Sequence, residues 1–206
     1  MKSLLFYLIA LNLGLLISKI FYYESLNSQN FVYTICSYLI KLIFKIFIYF
    51  KMNSNQEIFE IIKQFNLSPH PEGGWFREVL RSKSFLTRED GQTRNYITVI
   101  YYLLEGGSKS AWHRVNNSDE IWIYLRGNPL NLWCLDNTNE ELRNYILDKN
   151  NPVEMIPSGY WQAAESTGEF SFLSCCVGPG FDFKDFEMLR NTNHALRLDK
   201  AIDDFI

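Results

Sequence analysis

Two side chains in this sequence stand at a spacing suited to proton transfer. In Gly107-Ser-Lys-Ser-Ala-Trp-His113-Arg-Val115-Asn-Asn-Ser-Asp-Glu120-Ile-Trp-Ile-Tyr-Leu-Arg-Gly127, a glycine turn leads into a strand that carries His113. The polar run 116–119 then reverses the chain, and the next strand brings Glu120 back alongside. An imidazole and a carboxylate delivered to one cavity make a general base and a group that orients it. Trp122 is in phase with Glu120 on its strand and is expected to face inward with it. A second tight turn, Pro157-Ser-Gly159-Tyr-Trp161, returns a strand bearing Gln162, whose amide is suited to hydrogen-bonding a ligand or its neighbours. Tyr101 and Tyr124 are further groups able to stabilise developing charge. Arg77, next to Glu78, is a natural partner for a carboxylate or phosphate at a cavity mouth. His113 and Glu120 are therefore the candidate catalytic residues, and Arg77, Tyr101, Trp122, Tyr124 and Gln162 the candidate ligand-binding residues. His70, in a proline-flanked turn, reads as structural, as do Gly73 and Gly74.

Strands must position these groups. Asn95 to Leu104 is rich in β-branched and aromatic residues, with Ile97, Val99, Tyr101 and Leu103 on one face and Tyr96, Thr98, Ile100 and Tyr102 on the other, so both faces are apolar enough to be buried. Glu120 to Leu125 alternates again, Leu130 to Leu135 makes another strand, and Val153–Ile156, Gln162–Glu165 and Phe170–Val177 follow, with turn signals between them. Adjacent Cys175 and Cys176 point to opposite faces of their strand and read as buried thiols. Many short strands with regular turns and no internal repeat predict a β-sandwich or barrel. One short amphipathic helix is expected before them: Ser54-x-x-Glu57 has the form of a capping box, with Ile58, Ile61, Ile62 and Phe65 following at helical spacing. The segment from Asp182 to Leu189 and the tail 191–206 are expected to form a short helix or loop on the outside.

Composition narrows the function classes. Residues 1–51 carry a net charge of +4, so the remainder carries −7 of the chain's total of −3, and no basic run offsets it. An acidic body of this kind repels a phosphate backbone, which argues against nucleic acid as a partner. Four cysteines without a CxxC pattern indicate neither a disulfide framework nor a structural zinc site. Within residues 1–51, the apolar stretches Leu4 to Tyr23 and Phe31 to Phe50 approach spanning length, yet Lys41 near the middle of the second is costly in a bilayer. The six residue types Phe, Ile, Lys, Leu, Asn and Tyr supply 38 of these 51 positions, whereas all 6 prolines and 10 of the 11 glycines lie further on. A/T-rich codons specify largely those six types. The favoured expectation is therefore initiation at Met52 and a cytoplasmic protein; the rival is an N-terminal membrane anchor.

The register Gly107, His113, Glu120, Gly127 and then Pro157, Gly159 resembles the two motifs of the cupin superfamily. Two of the four metal-ligand positions depart from that pattern, Val115 and Gln162 standing where histidines belong. A closer resemblance covers about Leu67 to Leu189. It is carried by Ser68-Pro-His70-Pro-Glu72-Gly73-Gly74-Trp75-Phe-Arg77-Glu78, Ser110-Ala-Trp-His113, Asp119-Glu120-Ile-Trp122, Pro157-Ser-Gly-Tyr-Trp161-Gln162-Ala163-Ala164 and Cys176-Val-Gly178-Pro179-Gly180-Phe181. These strings resemble the single-cupin family DUF985, or Cupin_5, in which the missing histidines are the normal state. The resemblance implies a mainly β, single-domain double-stranded β-helix, or jelly roll, over residues 52–190 with a short N-terminal helix. It also implies a homodimer. Relatives by fold include deoxysugar epimerases, sugar isomerases and seed-storage globulins, so fold transfers and activity does not.

Three function classes follow from these residues. One is a metal-independent, cofactor-free epimerase or isomerase acting on a sugar-like polar small molecule, with His113 as base and Glu120 orienting it. A second is a non-catalytic small-ligand binder. The third, a metal-dependent oxygenase or isomerase, is weakest, because one imidazole, one carboxylate and an amide make a poor donor set.

Overall fold

The computed structural model describes residues 29–136 and 141–192. The chain divides into two compact units, residues 1–53 and 54–206. Helix α1 runs without a break over Gln29–Phe65, so Ser54-x-x-Glu57 lies inside a helix and does not start one. No glycine or proline occurs in that stretch to stop it, and serine and glutamate are tolerated in helix interiors. In the first unit, Tyr38, Ile40, Ile43, Phe44 and Ile48 are exposed. Among the described residues no helix is long and apolar enough to cross a membrane. The expected apolar stretch from Leu4 to Tyr23 and the tail beyond residue 192, including His194, lie outside the described residues.

The second unit is a sandwich of two antiparallel sheets. Strands β1 (Ser68–Pro69), β2 (Trp75–Arg81), β5 (Thr98–Glu105), β12 (Phe170–Gly178), β7 (Asp119–Gly127) and β10 (Val153–Ile156) form one sheet in that order. The other runs β13 (Phe186–Met188), β6 (Lys109–Val115), β11 (Trp161–Ser166), β8 (Leu130–Asp136) and β9 (Glu141–Leu147). A small hairpin of β3 (Phe85–Thr87) and β4 (Thr93–Asn95) stands apart from both. Spatial neighbours that are distant in sequence, such as β5 and β12, mark a jelly roll.

The predicted alternation in β5 has a direct consequence. Leu103 and Tyr101 face outward, where Ile58 and Ile61 of α1 cover them together with Phe170 and Phe172. Tyr102 and Leu104 face inward, into a core shared with Trp122, Leu130, Leu132, Leu147, Ile156 and Leu173 of both sheets. That core fills one end of the sandwich; the other end remains hollow. Against expectation, the segment before Leu189 is not an external helix. β13 pairs with β6, and Phe181, Asp182, Phe183 and Phe186 line the hollow end, because an open edge of β6 and an aromatic-lined cavity both offer these residues burial.

A loop between β1 and β2, both of the first sheet, reaches over to the second. The Glu72 carbonyl accepts from Ala111 N at 2.8 Å, and Tyr102 Oη donates to the Gly73 carbonyl at 2.8 Å, which stitches the loop to β6 and β5. Gly73 has φ +114°, and a Cβ there would lie 2.1 Å from the carbonyl oxygen of Lys109. Gly73→Ala is therefore expected to destabilise the fold by at least about 2 kcal/mol in urea denaturation. A loss below about 0.5 kcal/mol would show that the loop has room to relax.

Candidate functional site

The site is a cavity of about 340 Å³ at the hollow end, and its floor is built around a buried carboxylate. Glu72 Oε2 lies 3.2 Å from His113 Nε2 and 3.3 Å from His70 Nδ1, while Ser110 Oγ donates to Oε1 at 3.0 Å. Burial alone raises the Glu72 carboxyl, but the two imidazoles and the hydrogen bonds from His70 and Ser110 outweigh it and bring it down to about 2. Glu72 is thus ionised at neutral pH although it is buried.

His113 projects from β6 and is 1% exposed. Its Nδ1 lies 2.8 Å from the carbonyl of Ala111, which can only accept, so in the neutral ring the proton sits on Nδ1 and the lone pair on Nε2. Glu72 stands beside Nε2 as a charge partner. A proton taken up by Nε2 therefore completes an ion pair with a carboxylate already in place. This arrangement divides the role expected of Glu120. The imidazole is oriented by the Ala111 carbonyl and compensated by Glu72, because the loop through Gly73 reaches the ring from the opposite sheet.

Glu120 does line the same cavity, from β7, but its direct partner is elsewhere. Gln162 Nε2 donates to Glu120 Oε2 at 2.6 Å, and Trp122 Nε1 donates to Gln162 Oε1 at 2.9 Å. Burial raises the Glu120 carboxyl, His113 opposes this, and the charge on Glu72 adds to it; the net direction is upward. Two carboxyls of one cavity are thus driven in opposite directions. Cys175, in the same wall, is pushed well above the ordinary thiol range by burial and by Glu120, so it is a protonated thiol and not a nucleophile.

The structure separates the remaining candidates from the cavity. Gln162 and Trp122, each 1% exposed, sit behind Glu120 and hold it in place; they do not line the cavity. Tyr101 faces the opposite side of its sheet, packed on Phe65 and Phe172, as the alternation along β5 requires. Tyr124 donates to the Gly127 carbonyl at 2.7 Å and lies beyond the packed core. Arg77 points outward too, its Nη1 on the Phe65 carbonyl at 3.1 Å, and Glu78 pairs with Arg81 instead of with it. Strand phase explains this: Phe76 and Glu78 line the cavity, and Arg77 between them takes the other face.

Glu72 and His70 line the cavity although from sequence the first had no assigned role and the second read as structural, and Arg81 and Asp182 line it too. The first two lie in a loop, where no periodicity assigns a direction. The available signal was the pair Gly73-Gly74, whose positive φ values of 114° and 67° allow a sharp crossing close to the β6 backbone. Among the described residues no group of three His, Cys, Asp or Glu side chains is arranged to hold a metal ion.

Comparison with known proteins agrees with this architecture. The family model Cupin_5, described as "Cupin superfamily (DUF985)", matches residues 59–189. The uncharacterized protein YML079W of Saccharomyces cerevisiae is 28% identical over 159 residues, covering 68% of this chain and 78% of its own. A hypothetical protein from Leishmania major superposes with a TM-score of 0.56 at 33% identity, over 61% of this chain and 83% of its own. Protein SO0799 from Shewanella oneidensis gives a TM-score of 0.56 at 31% identity, over 63% of this chain and 82% of its own.

Proposed function

From the premise that this chain belongs to the Cupin_5 (DUF985) family of cupins, we propose that its cavity catalyses proton transfer on a small molecule, as an epimerase or isomerase does, without a metal. The observation that carries the reading is the pair of carboxyls pulled apart in one cavity: Glu72 is held ionised beside an imidazole, and Glu120 is pushed toward its protonated form. Titratable groups so separated are suited to opposite roles. His113 Nε2 accepts a proton from carbon as the C–H bond breaks, with Glu72 compensating the imidazolium. The electron pair passes to an adjacent carbonyl, whose oxygen takes the Glu120 proton to give an enol. Glu120 then takes a proton back from an enol or enediol hydroxyl as carbon is reprotonated: either water delivers a proton from the other face and the hydroxide left takes the His113 proton, giving an epimer, or His113 delivers its own proton to the neighbouring carbon, giving an isomer, and each route restores both residues. In place of the two missing metal-pattern histidines, Val115 contributes an apolar wall and Gln162 is already committed to Trp122 and Glu120.

The test is deuterium wash-in. Small aldoses, ketoses and amino-carbonyl compounds are incubated with the protein in D2O and followed by proton NMR. Loss of the signal from a hydrogen next to the carbonyl of at least one compound, dependent on the protein, is the expected result. Saturable binding with no exchange in any compound would instead assign the cavity to a non-catalytic binder.

The expected homodimer is part of this proposal, supported by the edge of β2. β1 covers only Trp75 and Phe76, and further along β2 the side chains of Val79 and Leu80 are exposed. Light scattering at micromolar concentration is expected to give twice the chain mass, and a monomer would contradict it.

A further inference from the structure

The charge and walls of the cavity narrow what it holds, and this inference rests on the proton-transfer reading above. Among the residues lining the cavity one side chain is permanently cationic, Arg81, and its contacts are already made. Nε and Nη2 donate to the two oxygens of Glu78 at 2.9 and 2.7 Å, Nη1 donates to Asn95 Oδ1 at 3.0 Å, and Nη2 also reaches the Phe181 carbonyl at 3.1 Å. Glu78 takes one edge of the guanidinium, and Asn95 with the Phe181 carbonyl takes the other, so a phosphate or carboxylate ligand finds no free edge here.

The acidic side is less committed. Asp182 accepts from the backbone N–H of Lys184 at 2.9 Å and, although Arg81 lies near enough to act on it, among the described residues it forms no ion pair with an arginine or lysine. Around Asp182 the wall is aromatic. Phe181, Phe183 and Phe186 have ring centroids 5.0, 5.9 and 6.0 Å apart and interplanar angles of 81°, 65° and 82°, so the three rings meet edge to face in a corner, with the imidazoles of His70 and His113 lying 6.4 Å from Phe183 and 5.5 Å from Phe186. Ring faces carry negative charge density, and a corner of rings beside carboxyls favours an organic cation over a neutral molecule of equal shape.

We propose that the ligand of this cavity is a small organic ammonium compound, its cationic group lodged among Phe181, Phe183 and Phe186 with Asp182 as countercharge. The volume suits a molecule of modest size. Within the proton-transfer reading, the substrate class becomes a small amino-carbonyl compound.

The experiment compares two probes of the same shape, choline and its uncharged carbon isostere 3,3-dimethylbutan-1-ol, titrated into the full chain and followed by protein NMR, with inorganic phosphate as the anionic control. Choline is expected to bind at least about tenfold more tightly than the alcohol, and phosphate not to bind in the cavity. Asp182→Asn and Phe183→Ala are each expected to bring the two affinities within about threefold. Phe183 is 54% exposed, so its truncation leaves the core intact, and an unchanged melting temperature checks this. Equal affinities in the parent chain, binding of neither probe, or a preference for phosphate overturns the inference. Deuterium wash-in with no ammonium preference refutes only the ligand class. Ammonium preference with no wash-in refutes only the catalysis.

Discussion

Glu72→Gln is expected to lower the stability of the folded chain by roughly 3 kcal/mol at pH 7, while Glu120→Gln lowers it by less than about 1 kcal/mol or raises it. Both residues are buried glutamates of one cavity, yet their surroundings act in opposite senses. The Glu72 carboxyl falls from an ordinary 4.5 in the unfolded chain to about 2 in the folded one, so its contribution is fully present above pH 4.5 and is lost as pH falls from there toward 2. Each unit of such a difference corresponds to about 1.4 kcal/mol. Removing the charge also replaces two carboxylate oxygens by one amide oxygen beside Ser110 and the two imidazoles, and leaving a buried donor without its acceptor costs about 1–3 kcal/mol. Glu120 runs the other way: its folded form favours the proton, so its ionisation costs stability as pH rises past the ordinary glutamate range. Glutamine at position 120 retains a carbonyl for Gln162 and removes that cost. Urea denaturation between pH 3 and 8 checks both statements. A Glu72→Gln chain within about 0.5 kcal/mol of the parent, with the same acid slope, would mean that the carboxylate is not ionised in the fold.

The second large effect concerns turnover. His113→Gln keeps a polar side chain near the Ala111 carbonyl but removes the lone pair that accepts the proton, and loss of a positioned general base reduces rate by about 10²–10⁴-fold. Binding of the same compound is expected to change by less than about fivefold, because the aromatic wall and Asp182 are untouched. Glu72→Gln removes the charge that compensates the imidazolium, and is expected to lower turnover to a similar degree. The double variant should be scarcely worse than the poorer single one, since residues acting as a unit are non-additive. An unchanged turnover in His113→Gln would transfer the base role to another group in the cavity.

Much of the frame was legible in the chain. Strand alternation in β5 already separated Tyr101 from Thr98 and Ile100, and the observed strand does place the latter two in the cavity and the former under α1. The turns around Gly107, Gly127 and Gly159 bring His113 and Glu120 to one cavity, as their spacing indicated. What the chain concealed was partnership. Glu72 reaches His113 through a loop held by backbone hydrogen bonds to the other sheet, and neither hydrophobic period nor turn chemistry encodes which carboxylate such a loop delivers. The aromatic corner was hidden for a related reason. Phe181 and Phe183 follow the last long strand in a segment without a period, so its attachment to β6 depends on which sheet edge is open.

The most direct test of the account is a carbon-13 NMR titration of the glutamate side-chain carboxyls, with Glu72→Gln and Glu120→Gln used to assign the two cavity signals. At pH 4, where exposed glutamates are more than half protonated, the Glu72 signal is expected to be still that of a carboxylate, and Glu120 to retain its proton to a higher pH than the exposed groups do. Two cavity carboxyls titrating together near 4.5 would contradict it, because neither would then be held in the state that its proposed role requires.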